Sequence, residues 1–458
     1  MTQSNNRSAL ERFLGVFAEV RVGEGVTALL LTLNLFFVLS SYYAAKVLRE
    51  PLILTGGGAE VKSYLSAIMV FLLLGAVKLY AVLAEKFPRR KLINIVNIFF
   101  IGCMIVFYLL AQAGLTSFFT IGGVEFGLGV LFFLWVGMFN VMVVAQFWSF
   151  ANDIYTPQEG KRLFAIVAFG ASSGAVAGSW IAGQLIDVLG LYQLLIAASV
   201  FLGLSLIITN IVDQREKLRG VAKKSAGAME EEPAMDKDGA FKLVFSNKYL
   251  LMIAVLILIL NWVNTNGEYI LGRMVSETAQ NLAAQQGPDF SEGDYIGKFY
   301  GNFFTGVNFL GMVIQLFLVS RILKYFGIRI AILILPVIAM GGYMILAFFP
   351  ILNIVRWMKT AENATDYSLQ NTVRHALFLP TSREEKYKAK QAIDSFFHRS
   401  GDVFSALLVF VGVSFLDFST KGFAFVNIAL VAVWIWLAVQ IGKENQVRVA
   451  ASEAEQKG

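Results

Sequence analysis

The sequence predicts an all-α polytopic membrane protein with twelve transmembrane helices in two six-helix pseudo-repeats. Three observations predict it. Of 458 residues, 57% are hydrophobic and only 15% charged, against about 25% charged in an ordinary soluble domain. Apolar runs of at least about 18 residues, each enough to cross a bilayer as a helix, recur along nearly the whole length. A charged stretch without apolar periodicity, residues 214–247, parts those runs into two sets of six.

In order, the chain opens with a segment (1–25) in which Leu10, Phe13, Leu14 and Phe17 share one helical face opposite Arg7, Glu11 and Arg12. That pattern predicts a short helix lying in the membrane interface. No basic stretch feeds a cleavable apolar core, so no signal peptide is expected. Spanning segments follow at 26–48, 63–84, 92–112, 124–148, 163–187 and 190–212, then at 249–272, 295–322, 326–349, 351–379, 391–416 and 422–442. Residues 26–213 thus form one six-helix bundle and 248–442 another. The linker 214–247 and the tail 443–458 are expected in the cytoplasm.

Loop charges set the orientation. Lys86, Arg89, Arg90 and Lys91 follow the second segment, Lys161 and Arg162 the fourth, and Arg215, Lys217 and Arg219 the sixth. Alternate loops are nearly uncharged or acidic, as with Glu277, Asp289, Glu292 and Asp294. Positive charge stays on the inner side, which places both termini of this multi-pass protein in the cytoplasm; a bacterial inner membrane is the expected host. The same loops account for the net charge of +6. No basic soluble domain exists to hold nucleic acid.

Ionisable residues inside apolar runs are costly and default to function. In the first segment Lys46, Arg49 and Glu50 share a face, and Lys46 can pair with Glu50. The seventh carries Asn261, Asn264, Thr265, Glu268 and Gly272 on one stripe, with Arg273 as the expected partner of Glu268. The tenth sets Lys359, Asn363, Asp366, Gln370 and Arg374 at helical spacing, beside Glu362 and Tyr367. The eleventh places Gln391, Asp394, His398 and Asp402 on one face, after a lysine-rich approach that includes Lys390. Of these, Asp394 is expected to act, and His398 to be a hydrogen-bonded neighbour. Buried candidates total seven cations and six anions, which permits an anionic substrate without requiring one.

Other chemistry is excluded. A single cysteine, Cys103, and two histidines offer neither an internal disulfide nor a zinc-like ligand set. No glycine run continues into Gly-Lys-Ser/Thr, and no Ser-His-Asp constellation appears. Neither an enzyme nor a cofactor is expected. Gly170, Gly174 and Gly178 on the fifth segment and Gly301, Gly306 and Gly311 on the eighth suggest close packing of those two helices on each other.

The two halves echo each other: AVLAEKFPRRK after the second segment matches LKYFGIR after the eighth, and YTPQEGKRLFA matches PTSREEKYKAK. Such paired halves resemble the major facilitator architecture. Residues 81–91 resemble its loop signature, with Glu85 as the acidic residue, Arg89 and Arg90 as the basic pair, and Pro88 in place of a glycine; that loop governs gating. Two further stretches resemble the nucleotide transporter family, the ATP/ADP translocases of plastids and obligate intracellular bacteria. One is FWSFANDIYTPQEGKRLFAIVAFGASSG, through Phe150, Ala151, Asn152, Lys161, Arg162 and Phe164. The other is the run after Arg374, through Pro380, Lys386, Lys388, Lys390, Ile393 and Asp394. Where the family has Lys-Asp-Thr-Leu, this chain has Arg49-Glu50-Pro51-Leu52, and Lys46 stands for an arginine.

The resemblance implies a monomeric secondary transporter that works by alternating access, in contact with lipid and with a small anionic solute. Substrate-binding residues would be Lys46, Arg49, Glu50, Asn264, Glu268, Lys359, Glu362, Arg374, Lys390 and Asp394; Glu85, Arg89, Arg90, Asn152, Lys161 and Arg162 would gate. The substrate would be a nucleotide or related organophosphate, taken by exchange. A proton-coupled symporter or exporter of another solute, titrating at Asp394, His398 or Glu268, is the alternative, and a membrane scaffold without transport a third.

Overall fold

A computed structural model describes residues 8–15, 19–121, 124–218, 239–382 and 384–455. The central part of the expected linker, Arg7 and Phe17 lie outside the described residues. Within them, ten helices are long and apolar enough to cross a membrane. The expected count of twelve is not reached on that measure, for two physical reasons. The stretch Glu292–Phe348 counts once although its backbone leaves the helix at Gly327, with φ 68°. The tenth segment, helical from Leu352, is too polar to qualify.

The first unit comprises residues 1–56, 71–232 and 291–305. Its hub is α2 (Gly25–Gly56), which packs against α6 (Pro157–Leu189), α7 (Leu194–Leu218) and α5 (Leu128–Ile154). α3 (Gly58–Lys86), whose residues up to Val70 belong to the second unit, and α4 (Arg89–Gln112) precede a hairpin of β1 (Ser117–Ile121), expected as loop, and β2 (Val124–Gly127), expected as the start of the fourth spanning segment. α6 opens on a reciprocal capping box: Thr156 accepts from the Glu159 N–H, Glu159 accepts from the Thr156 N–H, and Pro157 takes the first turn. It ends at Gly190, whose φ of 91° suits only glycine.

The glycines of α6 correct an expectation. Gly170, Gly174 and Gly178 pack on the first segment: a Cβ on Gly178 would lie 2.6 Å from the Ser40 Cα, and one on Gly174 2.8 Å from the Phe36 Cα. Ser40 Oγ donates to the Gly174 carbonyl at 3.1 Å across the same seam. It is Gly183, one further step along, that meets Gly301 of the eighth segment, where a Cβ on Gly301 would sit 2.6 Å from its Cα. Gly306 and Gly311 face Thr360 and Ala364 instead. On the first segment the seam is formed by the main chain at Thr32, Phe36 and Ser40, which the glycines allow to come close.

Before α2, α1 (Ala9–Leu14) is only six residues long, capped by Ser8 and Glu11. Glu11 is buried, not on a solvent face, and its carboxylate accepts the Gly23 N–H at 2.5 Å.

The second unit comprises residues 57–70, 233–290 and 306–458. After the short α8 (Ala240–Ser246), its core helix α9 (Lys248–Gln286) packs against α14 (Lys390–Ser414) and α15 (Thr420–Glu455), and α11 (Val319–Phe348), which follows α10 (Glu292–Val313), lies along α15. α15 continues helically well past residue 442, into the expected tail, and Asn445 donates to the buried Tyr249 hydroxyl at 2.8 Å. Between α12 (Leu352–Thr365) and α13 (Asn371–Ala376) lies a π-helical turn, Asp366–Gln370; two more, Glu385–Ala389 and Ile393–Phe397, flank the start of α14. Such turns are rare and collect at functional sites. Each adds a residue to the turn, so side chains beyond it rotate by about 100° relative to an uninterrupted α-helix.

Candidate substrate site

In the first unit, helix α2 runs six residues beyond Glu50, so its ionisable cluster is not at a helix end. Glu50 has a side chain 0% exposed, and it is paired by Arg49, whose Nε donates to Oε1 at 3.0 Å. The Arg49 guanidinium lies over the Phe133 ring, 4.8 Å from its centroid. The Lys46 ammonium sits 4.3 Å from the Phe304 centroid and 5.2 Å from that of Tyr43. An aromatic face stabilises a cation without neutralising it. Glu50 accepts from Arg49, the adjacent residue, whose planar fork reaches back along its own backbone.

In the second unit the polar residues of α9 and α12 meet. Lys359, 0% exposed, donates to Asn264 Oδ1 at 2.8 Å and to Glu362 Oε1 at 3.1 Å, and lies 4.0 Å from Glu268. Glu268 accepts from Asn363 Nδ2 at 2.8 Å, and the Tyr343 hydroxyl donates to Glu362 at 3.3 Å. Arg273, the expected partner of Glu268, instead pairs with Glu277 at 2.9 Å and donates to the Phe418 carbonyl. One residue of offset accounts for this: Arg273 is four residues from Glu277, but five from Glu268.

The third group lies where the tenth and eleventh segments meet. Asp394 receives Lys390 Nζ at 2.6 Å and Arg374 at 3.3 Å. The single face expected for Asp394, His398 and Asp402 is split, because the π turn Ile393–Phe397 intervenes. Asp402 belongs to another network, accepting from Asn261 and Thr265 at 2.8 Å each. The π turn at Asp366–Gln370 likewise turns Arg374 out of the stripe begun by Lys359 and toward Asp394.

The expected gating residues all lie in the first unit. Arg89 donates to Asp213 at 2.8 Å and pairs with Asp153 at 3.3 Å; Arg90 donates to Asn210 at 2.8 Å. Asp213 was missed, though its i,i+4 relation to Lys217, 2.7 Å away, was a readable signal. Glu85 and Asn152 are exposed at the ends of α3 and α5. Lys161 stands in the first turns of α6, its side chain outside the described set. Arg162 grips Glu24 through both terminal nitrogens, at 2.8 and 3.1 Å, and also donates to the Glu19 carbonyl. Nothing in the sequence pattern pointed to Glu24, Phe133 or Phe304, since each partner is distant along the chain.

Burial pushes the Glu24 carboxyl up, but the Arg162 guanidinium and the Arg21 N–H outweigh it and hold the carboxyl below its ordinary value of 4.5. A depressed carboxyl stabilises the fold fully above its unfolded pKa and loses that contribution as the pH falls through the folded one. Glu24→Gln is therefore expected to lower the unfolding midpoint near neutrality, the difference from the parent shrinking steadily below 4.5. A constant difference across that range would contradict the pairing.

The Major Facilitator Superfamily profile matches residues 149–361. ADP,ATP carrier protein 1 of Chlamydia pneumoniae is 23% identical over 358 residues, covering 69% of this chain and 67% of that protein. ADP,ATP carrier protein 3 of Rickettsia conorii is 20% identical over 485 residues, 90% of this chain and 93% of that one. The crystal structure of the nucleoside transporter NupG superposes with a TM-score of 0.59 at 12% identity, over 91% of this chain and 98% of that one. This chain is a membrane transporter with the major facilitator fold, and it is similar, at low identity, to the ADP,ATP carriers. A bacterial homologue of the iron transporter ferroportin, at a TM-score of 0.59 and 15% identity, shares the same fold. At such identity the solved structures speak for the transporter's architecture and not for its cargo.

Proposed function

We propose that this transporter moves a nucleotide or a related phosphorylated organic anion across the inner membrane by exchange, with both termini in the cytoplasm. The likeness to ADP,ATP carriers carries this reading, and the cation groups support it. Lys46 and Arg49 in one unit, and Lys390 and Arg374 in the other, offer charge-assisted donors to phosphate oxygens. Glu50 and Asp394 hold Arg49, Lys390 and Arg374 in the meantime, since a buried cation without a partner is costly. Phosphate would compete for those cations and release the carboxylates. In an exchanger, bound substrate must favour reorientation through differential affinity for the two states.

The test is counterflow of labelled ATP, ADP and other nucleotides into proteoliposomes. Internal unlabelled nucleotide should drive uptake, and Lys390→Ala should reduce it about tenfold or more, as the loss of a charged hydrogen bond predicts. Absence of any nucleotide counterflow, with uptake of another solute following an imposed pH gradient, would defeat the proposal. Normal exchange by Lys390→Ala would leave the transporter class standing and remove the assigned role.

A further inference from the structure

The tenth segment carries polar atoms that the groups above do not use. Asn363 Oδ1, Asp366 Oδ1 and both amide atoms of Gln370 are buried without a hydrogen-bond partner. Gln370 is 0% exposed and Asn363 1%. Buried polar groups are otherwise almost always paired. Asn363 and Asp366 lie one α turn apart, and Asp366 and Gln370 open and close a single, wider π turn, so the three side chains leave the helix toward one side before the rotation beyond the turn takes effect.

Charge supplies an independent argument. Lys359 is matched by Glu362 and Glu268, Arg374 and Lys390 share Asp394, and Arg399 is 3.4 Å from Asp402. The cations that act electrostatically on Asp366 are Arg374 and Lys359, both already engaged. Among the described residues Asp366 has no ion-pair partner, so this part of the unit is left with one uncompensated carboxylate. A single excess negative charge calls for a single positive one, since an unpaired charge away from water is costly.

We propose that Asp366, Asn363 and Gln370 form a binding site for a monovalent hard cation, Na⁺, within the second unit. Carboxylate and amide oxygens are the ligands such an ion prefers. A divalent ion would overbalance the one free carboxylate. A proton would neutralise Asp366 but leave the two amide oxygens unclaimed. A hydrated Na⁺ answers all three oxygens, and its water supplies an acceptor for the fourth orphan atom, Gln370 Nε2. The site does not depend on what the transporter carries, and it provides a place for a coupling ion.

The test is the unfolding temperature of the full-length protein in detergent, titrated with NaCl against choline chloride at constant ionic strength and pH. NaCl should raise it saturably, and choline chloride should not. Gln370→Ala should shift the NaCl midpoint about tenfold upward, the effect of one lost ligand to a charge, and Asp366→Asn should abolish the response. Equal behaviour of the parent protein in the two salts would overturn the proposal without recourse to any variant. So would a Na⁺ response that survives in Asp366→Asn, or a rise produced by acidification and not by Na⁺.

Discussion

Glu50→Ala is expected to cost about 3–5 kcal/mol of folding stability and to abolish transport, the signature of a buried ion pair broken from one side. The Glu50 side chain is fully buried and that of Arg49 only 16% exposed, so water cannot replace the lost partner. Phe133 would still lie against the guanidinium, but a ring face, worth about 2 kcal/mol or somewhat more when desolvated, does not neutralise the charge. Arg49→Ala should be as damaging, because it strands the carboxylate. The exchanged pair, Arg49→Glu with Glu50→Arg, is expected to recover part of the stability and little of the transport, since the cation then projects from the neighbouring position. Denaturant unfolding in detergent, run beside counterflow, separates the two effects. A Glu50→Ala protein within 1 kcal/mol of its parent would show that the Arg49 guanidinium finds another partner, or water.

Gly174→Leu is expected to be comparably severe, at about 3 kcal/mol or more, the upper range for forcing bulk into a packed seam. The obstacle is backbone: a Cβ at this position already meets the Phe36 main chain, which no rotamer change relieves. Gly174→Ala should therefore be clearly destabilising too, unlike an alanine at Gly203 or Gly341, where nothing lies within 4 Å. Those two serve as controls. In a bilayer the consequence is sharpened, because helices associate through close packing and not through any aversion to lipid. Equal melting temperatures for Gly174→Ala and Gly203→Ala would refute the seam.

Much of this architecture was readable in one dimension. Spanning helices depend on hydropathy and length, both local properties, and a bilayer leaves few other ways to satisfy a backbone. The break near Gly327 and the polar tenth segment show where that logic thins. One needs a positive φ that glycine only permits, and the other has too little apolar surface to announce itself as a span.

The sequence by itself determined that the chain crosses a membrane many times and which ionisable residues lie inside apolar runs. It could not determine their partners. Asp394 and Asp402 falling into separate networks, and Lys46 resting on Phe304, were decided by tertiary structure. The reason is geometric: helical spacing predicts neighbours only while the helix stays α, and one added residue in a π turn rotates everything beyond it. Contacts between helices distant in sequence leave no periodic trace at all, so the pairing of charges between helices, as of Arg374 with Asp394, became visible only once the helices were packed.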